Sequence, residues 1–216
     1  YYHPSFVHNN RVYVVGGAID NDPWVTSTVL YAPINSSGTI GSWVTTTPLP
    51  YALYHHSSFV QNDRVYVTGG DDGVIGATST ILYAPINSSG TIGSWAEATP
   101  LPNGLSEHPS FVHNNRIYVV GGYGPDGETS TVRYATINSS GTIGSWINTT
   151  PLPYASRAHA SFVYGNRTYI LGGETGGGYA FPTVLSAPIN SDGSIPYWGQ
   201  GRNAVSSPSG VEIGRA

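Results

Sequence analysis

The chain has 216 residues, 39% of them apolar and 12% aromatic, which is enough to bury a sizeable core. Only 9% are charged, lysine is absent and the formal net charge is −4, so no basic stripe is available for nucleic acid or for anionic membranes. Cysteine and methionine are absent as well, which excludes disulfides, zinc–thiolate sites and thiol nucleophiles within these residues.

The first short strand is expected at Ser5-Phe6-Val7, followed by a hairpin turn at His8-Asn9-Asn10, because Asn tolerates positive φ. Arg11-Val12-Tyr13-Val14-Val15 then alternates as a strand, with Val12 and Val14 on one face and Tyr13 and Val15 on the other. It stops at Gly16-Gly17, where a bend or a close backbone approach is expected. A variable loop leads to a third strand in "TSTVLYAPI", a second hairpin at "NSSGTIG" and a fourth strand opened by Trp43, before the unit closes at "PLP". The whole order then repeats: "SFV" recurs at 5, 58, 110 and 161, and "RVYVVGG" returns as "RVYVTGG", "RIYVVGG" and "RTYILGG". The later hairpins fall at Gln61-Asn62-Asp63, His113-Asn114-Asn115 and Gly165-Asn166. A period near 50 residues fits one four-stranded propeller blade, and such a sheet is stable only when stacked between copies of itself.

A double glycine, an aromatic beyond it and a tryptophan recur in register. They are Gly16-Gly17, Tyr31 and Trp43; Gly69-Gly70, Tyr83 and Trp95; Gly121-Gly122, Tyr134 and Trp146; and Gly172-Gly173 with Trp198, where Ser186 stands in place of the aromatic. On these marks the chain resembles the kelch family of β-propellers. The fold expected is all-β, a β-propeller of four-stranded antiparallel kelch-like blades, with blades at about 1–50, 51–102, 103–153 and 154–203. The tail 204–216 holds "SPSGVEI", which could open another innermost strand. Four blades are few for the resembled family, so a larger ring is expected, completed by missing sequence or by self-association with a second copy. The absent initiator Met and the start inside a repeat suggest a processed chain or a fragment. The four repeating tryptophans, Trp43, Trp95, Trp146 and Trp198, are expected to be largely buried between blades, and Trp24, which has no counterpart, to be exposed on the rim.

Chain direction sorts the loops. Those after the double glycines and after "PLP" share one rim, and the Asn-rich hairpins share the other. The Asn-rich rim is monotonous, whereas the first changes in every blade, as recognition loops do. Its ligand-binding candidates are Trp24, Tyr54, His55, Asp71, Asp72, Glu107, Tyr123, Asp126, Arg157, Glu174 and Tyr179, together with Asp20, Asp22 and Phe181. Tyr54, His55, Glu107 and Arg157, close to the innermost strands, are expected to face the propeller axis.

His3, His56, His108 and His159 each precede "SFV" by two residues, and a residue present in every blade reads as structural rather than as a metal ligand. "DNDPW" and "DDG" lack EF-hand spacing and read as turns. No metal or cofactor is expected. Phosphate-loop and Gly-x-Ser-x-Gly signatures are missing, and the cysteine-modified tyrosine of kelch-type copper oxidases cannot be built.

The principal expectation is a non-enzymatic binding module for a glycan or a protein segment. One alternative is a structural module of a surface filament or adhesin. The other is a sugar mutarotase pairing Glu107 with Arg157 or His55 for acid–base work. An extracellular or cell-surface location is expected from polarity carried by Asn, Ser, Thr and Gly, and from sequons at Asn35, Asn87, Asn138, Asn148 and Asn166. The repeated "NSSG" is read first as turn grammar and second as a glycosylation site. No apolar run approaches the roughly 20 residues of a membrane span, so a soluble chain without membrane insertion is expected.

Overall fold

Each repeat forms one antiparallel four-stranded sheet, in the order its alternating segments dictate. The structure is a computed structural model that describes residues 1–20, 24–180 and 183–201; the tail strand expected within 204–216 lies outside them. The first blade is β1 (Ser5–His8), β2 (Arg11–Val15), β3 (Val29–Pro33) and β4 (Val44–Thr46). The second is β5 (Ser57–Gln61), β6 (Arg64–Thr68), β7 (Ile81–Pro85) and β8 (Ala96–Glu97). In the third, β9 (Ser110–His113) and β10 (Arg116–Val120) precede a small hairpin of β11 (Tyr123–Gly124) and β12 (Gly127–Glu128), then β13 (Val132–Thr136) and β14 (Ile147–Thr149). The fourth follows the same plan: β15 (Ala160–Tyr164), β16 (Arg167–Leu171), the hairpin β17 (Glu174–Thr175) and β18 (Tyr179–Ala180), β19 (Val184–Pro188) and β20 (Gly199–Gln200). All the regular elements described are strands, so the fold is the all-β propeller fold of four-stranded blades that the repeat implies.

The blades group into two compact units. Tyr1–Ser106 with Ser139–Thr142 forms the first, and Glu107–Asn138 with Ile143–Ala216 the second.

The Asn-rich turns are what the sequence leads one to expect. Asn9 and Asn10, Asn62 and Asp63, and Asn114 and Asn115 all have φ between 45° and 57°, the doubly left-handed geometry that matches strand twist in a two-residue hairpin. At the second hairpin, Asn35 and Asn87 each donate a side-chain N–H to a threonine hydroxyl four residues on, at 2.9 Å, so these asparagines serve the turn itself.

The core of each of the first three blades is a tyrosine from its second strand. Tyr13, Tyr66 and Tyr118 are fully buried. Each ring stacks between a phenylalanine of the first strand and a tyrosine of the third, as Phe59, Tyr66 and Tyr83 do with centroids 5.0 and 5.8 Å apart. Their hydroxyls donate to turn-glycine carbonyls one blade on: Tyr13 to Gly90 (2.9 Å), Tyr66 to Gly141 (3.0 Å) and Tyr118 to Gly193 (2.9 Å). Burial raises all three hydroxyls above the ordinary tyrosine pKa, so they stay protonated as donors.

The expectation for the repeating tryptophans is corrected at Trp43. Trp43 is 48% exposed, whereas Trp95, Trp146 and Trp198 are mostly buried, Trp95 and Trp198 against the core; Trp24 is exposed as expected. Trp95 and Trp198 lie over the outermost strand of the preceding blade and donate their indole N–H to the carbonyls of Thr47 and Thr150. Repetition marks them as structural, as the packing of Trp95 and Trp198 against the core bears out.

The double glycines and the histidine ring form one device. A Cβ on Gly16 would lie 2.7 Å from the Leu53 carbonyl and 3.0 Å from the His56 ring; one on Gly121 would lie 2.6 Å from the Ser156 carbonyl and 2.8 Å from the His159 ring. Gly17, Gly70 and Gly173, each the second of its pair, meet the histidine of their own blade, as Gly70 does at 2.6 Å from His56 Cβ. The second glycine's N–H donates to the next post-"PLP" loop: Gly17 to Leu53, Gly70 to Leu105 and Gly122 to Ser156, at 2.7 to 2.9 Å. His56, His108 and His159 are accordingly buried.

Candidate functional site

Two loop families are stitched together at one end of the blades. Tyr54, after the first "PLP", exchanges backbone hydrogen bonds with Asp71, after the second double glycine; Arg157 and Glu174 do the same in the fourth blade. The residue just before each repeating histidine is also constrained. Tyr2, His55, Glu107 and Ala158 all have φ between 52° and 57°, a region that costs a side-chain-bearing residue about 1–2 kcal/mol. The His55 N–H donates to the Tyr2 carbonyl, and that of Ala158 to Glu107. A repeated backbone thus presents a different side chain in each blade.

In the first unit these side chains are aromatic. Tyr54 meets Trp24 edge-on at 4.6 Å and His55 at 4.8 Å, and His55 lies 4.1 Å from the Tyr2 ring. Trp24 rests on the neighbouring loop, where a Cβ on Gly73 would come within 3.2 Å of the indole. That loop is held by its own acids. Asp71 Oδ1 accepts from the Gly73 N–H at 2.7 Å, and Asp72 Oδ1 from Val74 and Ile75 at 2.9 and 2.8 Å. Slight burial would raise the Asp72 carboxyl, but these backbone donors outweigh it and hold its pKa below the usual value. Asp71 and Asp72 therefore organise the loop, and the groups it presents are Val74 and Ile75, 87% and 85% exposed.

In the second unit the side chains are charged. Arg157 faces three carboxylates: Glu107 at 2.9 Å, Glu174 at 2.8 Å and Glu128 at 3.3 Å. Its guanidinium lies 5.1 Å from the centroid of the Tyr123 ring. Tyr123 and Asp126 are exposed, on and beside the β11–β12 hairpin. Glu107 and Arg157, considered as an acid–base pair, do converge, but within a closed ion-pair group. Among the described residues no three His, Asp or Glu side chains are placed to share a metal ion.

Asp20 is exposed; Asp22 and Phe181 lie outside the described residues, and Tyr179 is described only by its backbone in β18. Sequence reasoning missed Tyr2, Val74, Ile75 and Glu128. The signal for Val74 and Ile75 was present, as two adjacent β-branched residues inside an Asp- and Gly-rich loop. Glu128 stands in a loop where Asp126 drew the attention.

The family model described as the KLHDC2/KLHL20/DRC7 Kelch-repeats domain matches residues 2–191. Kelch-like protein 35 of Mus musculus is 24% identical over 94% of this chain and 30% of its own length. Kelch-like protein 6 of Homo sapiens is 32% identical over 56% of this chain and 17% of its own length. The solved structure of YjhT superposes with a TM-score of 0.74 at 18% identity, over 97% of this chain and 66% of that one. The chain therefore spans less than a third of the length of these curated relatives.

Proposed function

The chain belongs to the kelch-repeat family of β-propellers, and from that premise we propose that it is a non-enzymatic binding module holding a protein segment on the rim of post-glycine and post-"PLP" loops. One observation carries the reading: a loop braced by Asp71 and Asp72 holds Val74 and Ile75 almost wholly in solvent beside the Trp24–Tyr54–His55 rings. Scattered exposed apolar residues are ordinary, but adjacent ones on an ordered loop beside the exposed Trp24 form a patch suited to an apolar anchor. Trp and Tyr faces would also stack on a sugar, whereas Val and Ile offer a glycan's hydroxyls no hydrogen bond, which favours a protein segment. We further propose an extracellular or cell-surface setting, supported by the low charge and by the exposure of Asn35, Asn87, Asn138, Asn148 and Asn166.

The test is a displayed peptide library and a glycan array, both probed with the chain and with a Val74→Ser, Ile75→Ser variant. Peptides sharing an apolar anchor should be selected and lost with the variant. Selection of glycans alone would replace the protein segment with a sugar. Peptides indifferent to the variant would remove the proposed seat.

A further inference from the structure

We propose that the protein segment held on the Val74–Ile75 patch is amphipathic, an apolar anchor with an arginine or lysine beside it. The inference rests on the seat proposed above and adds the charge that its occupant carries. The loops that build the seat are of one sign. Residues 18–28, 51–56 and 71–80, all in the first unit, include Asp20, Asp71 and Asp72 and contain no arginine or lysine. The two arginines of that unit stand at the far ends of β2 and β6 and are occupied there: the side chain of Arg11 lies over Gly90 and that of Arg64 over Gly141, 2.5 and 2.9 Å from where a Cβ would be.

The carboxylates lie close to the apolar groups. Asp72 Oδ1 accepts from the Val74, Ile75 and Gly76 N–H groups at 2.9, 2.8 and 3.3 Å, which fixes its charge against the backbone of the two side chains that stand in solvent. Asp71 Oδ1 is held in the same loop by the Gly73 N–H. Among the described residues no cationic side chain pairs with Asp20, Asp71 or Asp72. On the other side of the seat, the Ile19 N–H donates to the Trp24 carbonyl at 2.7 Å, and the exposed Asp20 follows directly on that pairing. An apolar anchor beside Trp24 and Ile75 is therefore flanked by carboxylates from two blades. A neighbouring arginine or lysine lays its apolar stem along the indole, gains from the ring face and meets these charges, whereas an acidic neighbour is repelled.

The test selects a random displayed peptide library on the chain, then titrates one selected peptide, and the same peptide with its basic residue replaced by glutamine, against the chain and its variants. Asp72→Asn keeps the oxygen that accepts from Val74 and Ile75 and removes only the charge; Asp20→Asn lies outside that loop altogether, so one reports on charge even where the other disturbs the brace. The expected result is a selected set with a basic residue beside its apolar anchor. Each neutralised variant should weaken binding roughly two- to fivefold, the loss should fade at about 1 M salt, and the glutamine peptide should no longer respond to Asp72→Asn. Peptides that need Val74 and Ile75 but carry no basic residue, or that ignore both neutralised variants, would overturn this inference and leave the apolar seat standing. Peptides indifferent to the Val74→Ser, Ile75→Ser variant would overturn both.

Discussion

Arg133 occupies the position that Leu30, Leu82 and Leu185 hold in the other blades, yet it is only 8% exposed and no carboxylate lies within ion-pair distance among the described residues. Burial holds its guanidinium below the ordinary arginine value. A charge so placed opposes folding, and Arg133→Leu should stabilise the chain by about 1–3 kcal/mol, read as a higher denaturant midpoint at constant slope. His159 makes a second residue-scale case. Burial pushes its imidazole down to about 4, so the unfolded chain takes up the proton first as pH falls. The stability tied to this group is complete above about pH 6.5 and is lost on the way down through about pH 4, at a scale of about 3 kcal/mol. His159→Gln should flatten that part of the stability–pH curve measured by denaturant titration. An unchanged slope would mean that His159 stays neutral in neither state or both.

Strand and turn positions were legible because their period recurs four times: the alternation of Arg11–Val15, the Asn9-Asn10 turn and the double glycine each follow from local backbone chemistry. Which aromatic fills the core was not legible, since Tyr13 and Trp43 repeat with equal regularity while only the tyrosine stands on an inner strand between stacked rings. The loops were legible as variable, and their internal partners were not. Asp71 and Asp72 read as ligand-facing acids but cap their own loop, and Glu107 and Arg157 read as separate contacts but neutralise each other. Two expectations follow for elements. Tyr66→Phe, which leaves the buried Gly141 carbonyl without its donor, should cost about 1–3 kcal/mol in chemical denaturation. Arg157→Met should loosen both small hairpins of the second unit by leaving Glu107, Glu128 and Glu174 without their shared cation, seen as faster amide exchange in β11–β12 and β17–β18. Protection unchanged in those hairpins would show that the ion pairs do not hold them.

Over the whole molecule, one blade scaffold repeats while the post-glycine and post-"PLP" loops diverge, and that contrast underlies the proposed function. In the first unit these loops are aromatic and aliphatic around Trp24 and Ile75, and in the second they are charged around Arg157. The opposite rim repeats its Asn-rich turns in blade after blade. The most direct measurement is a paired substitution series against a peptide selected by the chain: Trp24→Ala and Ile75→Ser on the variable rim, Asn9→Ala and Asn114→Ala on the other. The rim pair should weaken binding by roughly 2 kcal/mol or more, about thirtyfold, and the Asn pair should leave it nearly unchanged. Loss of binding in the Asn pair, with the rim pair silent, would place recognition on the opposite rim.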